Sequence, residues 1–345
     1  MYYFITNIHG GGGNALLTWK KVKKSLVARG VQYKLLLSEH KGHARELAQQ
    51  VCRNEDSDKK IVVVGGDGTI NEVLNGIGEE DFKKVQFGVI PTGSGNDFCR
   101  GTGIKRGSRN TKKVLDAVLS GNTRKMDLGK VSFSAAASLQ PDLHSGGQPE
   151  DCSGAAAPSP STQETSSVRY FGISSGIGLD AIVCRRVDAS PLKKVLNFLK
   201  LGGAVYIILT LYTLSTMKFY RVRARMFSKA AEGFKELPFG KLIFLSAMNL
   251  KAEGGGVKMA PKAKCCDGKL WLCAAHGISR FVSYLVFPFL VTGTHSKIRG
   301  FTVKSFNGLE LESDLPMTLH TDGEYAGEVT SVRWEVLPDA LTLLD

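Results

Sequence analysis

"KKIVVVGGDGTINEVLNGI", residues 59–77, places four β-branched residues, Ile61 to Val64, directly before a glycine-rich turn. Such a run reads as a parallel strand buried on both faces. A helix follows at once: Leu74 and Ile77 lie three apart with Val73 on the same apolar face, and Asn71, Glu72 and Asn75 are expected to look outward. Glycines at such a junction let backbone N–H groups approach an anion, and the helix N-terminus adds positive potential. The spacing fits neither the Walker A loop, which needs a Lys-Ser/Thr pair, nor G-x-G-x-x-G. Asp67 inside the turn would repel a phosphate unless a divalent cation lay between them, so the turn predicts a Mg²⁺-bound polyphosphate.

On either side the chain alternates. "YYFITNI" and "QYKLLLSE" read as strands, while "LLTWKKVKKSLVARG", closed by Gly30, and "ARELAQQVCR" read as helices; the strand "VQFGVIP" and a helix near "TKKVLDAVLSG" come later. This rhythm predicts an open parallel sheet with ligands at the carboxyl ends of its strands. Beyond Met126 the rhythm changes: "MDLGKVSF", "VRYFGISSG", "KFYRVRARMF", "KLIFLSAMN", "KLWLCAA" and "HSKIRGFTV" read as strands, with little helix except around 191–217. The expected architecture is an α/β N-terminal domain, 1–127, with an open, mostly parallel sheet, and a mainly antiparallel, β-rich, sandwich-like domain, 128–335. The active site would lie in the cleft between them, and the tail 336–345 is free to return to the first domain.

Two segments depart from this plan. Residues 132–167 contain no Lys or Arg and are rich in Ser, Ala, Gly and Pro, which predicts a disordered loop inserted in a hairpin. Residues 201–217 are uncharged but fall just short of a membrane-spanning length; a long buried helix is expected, with a membrane-dipping element left open.

The composition narrows the class. Of 345 residues 43% are hydrophobic, and 45 Lys and Arg face 32 Asp and Glu, a net charge of +13. That balance favours anionic partners, and with no basic-aromatic recognition module in view a membrane face or phosphorylated substrate is expected rather than nucleic acid. The seven cysteines are scattered without C-x-x-C, and adjacent Cys265 and Cys266 suit a disulfide poorly, which suggests a reducing compartment. His40 and His43 read as a solvated pair, not a metal site. "MYYFITN" enters directly as a strand, so no signal peptide is read.

Five stretches, "GGDGTINEV", "IPTGSGNDF", "RKMDLG", "EGGGVKMAPKAKCCDGKL" and "TDGE", together resemble the diacylglycerol kinase catalytic-domain superfamily, especially its bacterial lipid kinases and more distantly sphingosine and ceramide kinases. Order and spacing fit over nearly the whole chain. The first motif is shared with NAD kinases and phosphofructokinases; joined to "PTGSGNDF" it becomes specific. The resemblance implies that Gly65, Gly66, Gly68 and Thr69 cradle the phosphates of ATP near Asn71, that Asp67 acts through Mg²⁺, and that Glu72 stands behind them. It implies a nucleotide contact at Thr92 and a metal-linked carboxylate at Asp97, with Asn96 reading also as a helix cap. Asp127 would face the phosphates, a solvated loop aspartate being the even alternative. The family's N-P-x-[SA]-G is "NIHGGGG" in this chain, with Ile8 in place of Pro; nucleotide contacts are implied at Asn7, at Gly10 and Gly11 within the run to Gly13, and at Ser38. Asp267, with the carbonyls of Lys264 and Lys269, would form a structural Mg²⁺ loop, the alternative being an Asp-Gly hairpin turn. Glu324 would be the general base.

The expected function is transfer of the γ-phosphoryl group of ATP, with Mg²⁺, to a lipid hydroxyl, diacylglycerol being the leading acceptor. Sphingoid bases, phosphatidylglycerol or NAD are alternative acceptors. A dinucleotide-binding oxidoreductase is a second class, because Gly10-x-Gly12-x-x-Ala15 follows a strand and Glu39 ends the next. A non-catalytic lipid-binding regulator is a third. The expected partners are a lipid acceptor at a membrane surface and anionic phospholipids, with a homodimer left open, and the expected location is cytoplasmic with peripheral membrane association.

Overall fold

Parallel strands form one half of the molecule, as the apolar run at 61–64 requires. The computed structural model describes residues 1–8, 14–56, 58–135, 166–189, 202–229 and 231–345. Strands β1 (Tyr2–Asn7), β2 (Tyr33–Ser38), β3 (Lys59–Gly65) and β4 (Val85–Pro91) lie in the order β4-β3-β1-β2, all parallel. Ile61 and Val63 pack with Tyr3 and Ile5 against α2 (His43–Arg53) and α3 (Asp67–Ile77). Val62 and Val64 turn to the opposite face, where Trp19, Val22 and Leu26 of α1 (Asn14–Ala28) and Val118 of α5 (Thr111–Ser120) cover them. Both faces of β3 are therefore dry, and each such side chain contributes about 1.5–3 kcal/mol of burial. A short helix, α4 (Asp97–Thr102), follows β4.

The second half is antiparallel. Strands β5 (Thr123–Ala135), β6 (Ser166–Phe171), β7 (Ser174–Gly178), β8 (Val222–Ser228), β9 (Ala231–Leu237), β10 (Leu242–Met248), β11 (Leu270–His276), β12 (Phe301–Phe306), β13 (Gly308–Thr321) and β14 (Glu324–Leu344) enclose the larger apolar core. They are joined to the parallel strands in one continuous 14-stranded sheet. The join is β14: it runs antiparallel to β13 and β5, and its end then pairs in parallel with β4, Thr342 against Gln86 and Leu343 against Phe87. Leu341 and Leu343 thereby enter the core of the α/β half.

Several local expectations change. "VRYFGISSG" is two strands, β6 and β7, broken at Gly172 and Ile173. β12 starts at Phe301, the residues His295–Lys297 before it being a single 3₁₀ turn. The hairpin that carries the insertion is longer than expected: Ser132, Phe133 and Ser134 pair with Val168, Ser167 and Ser166, so the ends of the 132–167 segment are strand, and the expected disorder concerns 136–165, outside the described residues. Two helices of the second half, α6 (Leu179–Ala189) and α8 (Arg280–Thr292), were not expected, and the helix within 201–217, α7 (Gly202–Thr216), is not buried throughout. Thr213 and Leu214 are buried, but Ile208 and Tyr212 stand in solvent. No helix among the described residues is long and apolar enough to cross a membrane. The six described cysteines are free.

Candidate active site

Parallel pairing brings the carboxyl ends of β1 to β4 to one edge. Asn7 stands beside Ser38, and Gly65 beside Pro91, so the glycine turn after β3 and the "PTGSGND" turn after β4 are neighbours. They touch through backbone: Thr92 N–H donates to Gly65 O at 2.9 Å, and a β-carbon on Gly93 would lie 2.8 Å from Gly66 Cα. Only glycine permits that approach. Asn7 Nδ2 donates to Thr69 Oγ1 at 3.2 Å, fixing the first turn of α3 to β1. No side chain caps the N-terminus of α3, and Thr92 Oγ1, buried between the turns, has no hydrogen-bond partner. Uncapped N–H groups beside an orphaned buried hydroxyl fit an anionic ligand. Gly10 and Gly11 lie outside the described residues, whereas Ser38 is buried at the end of β2.

The carboxylates are distributed differently from expectation. Asp67 accepts the N–H groups of Asp97 at 3.0 Å and Phe98 at 3.1 Å, so it caps α4 from the first turn of α3. Asn96 occupies the N-cap position in left-handed backbone but makes no side-chain cap; its amide donates to Gly93 O instead. Burial pushes the Asp67 carboxyl up, while the Phe98 N–H and the charges of Arg100 and Arg106 draw it back. Asp97 pairs with Arg100 and accepts Gly255 N–H at 2.7 Å, tying α4 to the glycine run of the antiparallel half. Asp127 is 1% exposed, which excludes the solvated reading. Its carboxylate accepts Gly268 N–H at 2.7 Å and Asp339 N–H at 2.8 Å, partners from the Asp267 loop and β14 and none from the glycine turns. Asp267 is exposed and accepts Lys269 N–H at 3.2 Å, and burial raises its carboxyl despite that bond. Lys264 and Lys269 are exposed in the same loop.

α3 links these turns to "TDGE". Asn71, expected to look outward, is 4% exposed and donates to Asp322 Oδ2 at 3.0 Å. Asp322 also accepts the N–H groups of Gly172, Ile173 and Ser174 across the break between β6 and β7. Asn75 bridges to the backbone N–H and carbonyl of Tyr170. Glu72 likewise does not face solvent freely: it accepts Gly42 N–H at 2.9 Å and Ala44 N–H at 3.2 Å, capping α2. Held by this frame, Glu324 reaches the first glycine turn, where a β-carbon on Gly68 would stand 2.7 Å from its Oε1. Its other oxygen faces Lys41 Nζ at 3.5 Å.

Sequence reasoning missed the cations around this edge. Arg169 senses the charges of Arg45 and Glu324, its guanidinium lowered first by burial. With Arg100, Arg106 and Lys41 these come from separate elements, and no motif marks them. It also missed a partly buried cluster behind the turn, in which Asp180, Glu253 and His320 gather their ligating atoms within 4.8 Å of one another. This is the one such group among the described residues, and it includes none of Lys264, Asp267 and Lys269. His320 Nε2 lies 3.2 Å from Asp180 Oδ2 and its Nδ1 accepts Gly323 N–H at 3.3 Å. Burial pushes Glu253 up to about 7.

A parallel α/β half with two touching glycine turns, met by a carboxylate from an antiparallel half, defines a phosphotransferase architecture. Residues 1–131 match the model of the diacylglycerol kinase catalytic domain, and residues 173–345 match that of the YegS C-terminal NAD kinase beta sandwich-like domain. The chain belongs to this family of diacylglycerol and related lipid kinases, and it is a lipid kinase. Among its relatives, the Bacillus subtilis (strain 168) protein named "Putative lipid kinase YtlR" is 29% identical over 99% of this chain and 98% of its own. The protein named diacylglycerol kinase of Mycobacterium tuberculosis (strain ATCC 25618 / H37Rv) is 25% identical over 99% and 93%. A crystal structure titled as that of a diacylglycerol kinase from Bacillus anthracis str. Sterne shares the fold, with a TM-score of 0.62 at 16% identity over 99% of this chain and 96% of that one.

Proposed function

We propose that this lipid kinase uses ATP and Mg²⁺ and transfers the γ-phosphoryl group to the hydroxyl of diacylglycerol, presented by a membrane surface. The observation that carries the reading is the meeting of Glu324 with the Gly68 turn, which puts a carboxylate from one half of the molecule at the anion cradle of the other. Gly65, Gly66, Gly68, Thr69 and Thr92 would hold the phosphates, with Asn7 orienting Thr69. An ionised carboxylate offers about four lone-pair sites, so Asp67 can accept two N–H groups and still face a cation. Asp267 and its neighbouring carbonyls are a hard-oxygen donor set for a second, structural ion. A bound Mg²⁺ would neutralise charge on the transferring phosphoryl oxygens.

Glu324 takes the proton of the acceptor hydroxyl, because an aliphatic alcohol is too weak an acid to ionise before attack on phosphorus. Such assistance is worth roughly 10²–10⁴-fold, and a loose transition state favours the lower end. Arg45, Arg169 and Lys41 meet negative charge at the same edge. Relatives named diacylglycerol kinase support the choice of acceptor over sphingoid bases and phosphatidylglycerol, and with the family established the oxidoreductase alternative is set aside. Incubation with labelled ATP, Mg²⁺ and a panel of these lipids tests the reading: label should enter phosphatidic acid first. Label in no lipid, or in another lipid alone, would refute it.

A further inference from the structure

On α7 and α8 the apolar pattern extends to both faces. Leu214 on α7, and Val286 and Leu290 on α8, face the core, yet the opposite stripes are apolar too: Ile208 is 61% exposed, Phe281 70% and Leu285 59%, with Tyr212 and Phe289 alongside. A surface helix of a globular protein carries polar residues there. The two stripes adjoin, since Ser215 Oγ and Tyr284 Oη lie 2.6 Å apart and Arg280 donates to the carbonyls of Ser215 and Met217.

The charge on the chain that carries them has one sign. No Asp or Glu occurs from 189 to 231 or from 268 to 309, the stretches that contain the two helices. Exposed Lys218 and Arg221 follow α7, exposed Lys297 and Arg299 follow α8, and Lys258 packs beside Gly293 at the end of α8. An apolar face with a basic rim, on stretches of chain that carry no acid, matches an anionic lipid leaflet, where aromatic and aliphatic side chains enter the acyl boundary and Lys and Arg meet headgroups. Over their described 15 and 13 residues the helices are long enough to lie in that boundary and too short to cross it.

We infer that α7 and α8 form the membrane-docking face of this protein and that its occupant is an anionic bilayer. The purpose of this face rests on the lipid-kinase reading. Its position suits that reading: Arg186 of α6 donates to Thr213 and Thr216 of α7, while Asp180 at the start of α6 contacts His320 beside the turn of Glu324. One helix thus separates the docking face from the reacting edge.

The test is flotation with vesicles of equal parts phosphatidylcholine and phosphatidylglycerol, or of phosphatidylcholine alone. The wild-type chain should float with the mixed vesicles and far less with the neutral ones. Phe281→Ser/Leu285→Ser/Phe289→Ser should lower the partition coefficient by on the order of 10²-fold or more, and Lys297→Glu/Arg299→Glu should lower it only for the mixed vesicles. Equal binding by the triple variant, equal binding to neutral vesicles, or no binding by wild type would overturn the inference. So would a wild-type dimer in sedimentation that the triple variant dissociates, since a second copy would then cover the face. Phosphorylation of dioctanoylglycerol in detergent micelles should be unchanged in the triple variant. If no lipid is phosphorylated by either protein while the vesicle results hold, the acceptor reading fails and the docking face stands.

Discussion

Glu324 Oε1 lies so close to Gly68 that a β-carbon there would stand 2.7 Å away. Gly68 is not among the residues of positive φ, so its missing side chain, not backbone freedom, is what the site uses. This one approach couples the glycine turn of the parallel half to the final hairpin of the antiparallel half.

Gly68→Ala should therefore lower kcat by on the order of 10²-fold through displacement of the carboxylate. Thermal stability should change little, because the obstructing atom is the end of a flexible side chain. Steady-state kinetics and calorimetry on one preparation check both halves, and unchanged kcat would separate Glu324 from the chemistry.

Glu324→Gln keeps the shape and removes the base. We expect kcat to fall by roughly 10²-fold with the KM for ATP nearly constant. Combined with Gly68→Ala the loss should be no greater than that of the worse single variant, since both remove the same group.

Asp67→Asn should cost stability as well as turnover, because an amide replaces one of the two acceptors that cap α4 with a donor. The loss should be about 1–2 kcal/mol, the usual worth of an N-cap, read from urea unfolding. A fully stable but inactive variant would show that the cap is dispensable.

The cluster of Asp180, Glu253 and His320 predicts a pH dependence of stability. Glu253 is pushed up to about 7 from 4.5, first by burial and then by Asp180 and Asp322 against His320. Its contribution is complete below the unfolded value and is lost as pH rises through about 7. His320, drawn down by burial but raised overall by Asp180 and Glu253, loses its contribution in the same direction. Melting temperature should decline from about pH 5 to about pH 8, and Glu253→Gln should flatten the decline.

Deleting residues 137–164 should leave melting temperature and turnover nearly unchanged. Ser134 pairs with Ser166, which closes the hairpin at its root, and closure entropy grows only with the logarithm of loop length, so a shorter loop costs the fold nothing through closure. A large loss of either property would assign the segment a role that its composition does not suggest.

The parallel half was legible because its signals are local. A β-branched run buried on both faces, glycines at strand ends and helices of regular period all report on neighbours in the chain, and the glycine turns and Glu324 could be singled out as residues. The antiparallel half was legible only in part. β14 carries Gly327 and Pro338 and an Asp339 of positive φ, features that argue against a strand, yet its two sides find partners in β13 and β5. α8 is apolar on nearly every side and contains Pro288, which hides its period.

By itself the sequence singled out the candidates for a phosphate site: the glycines of 65–68 and 93–95, a threonine at 92, and carboxylates that would act on phosphate only through a cation. Tertiary structure alone decided what each carboxylate touches. Asp67 turned to cap α4, Asp127 to clamp the Asp267 loop, and Asn71 inward to Asp322, because a buried polar group must find a partner and the nearest donors belong to segments far away in the chain. The same demand, met by Asp322 across the break between β6 and β7, brings Glu324 onto Gly68.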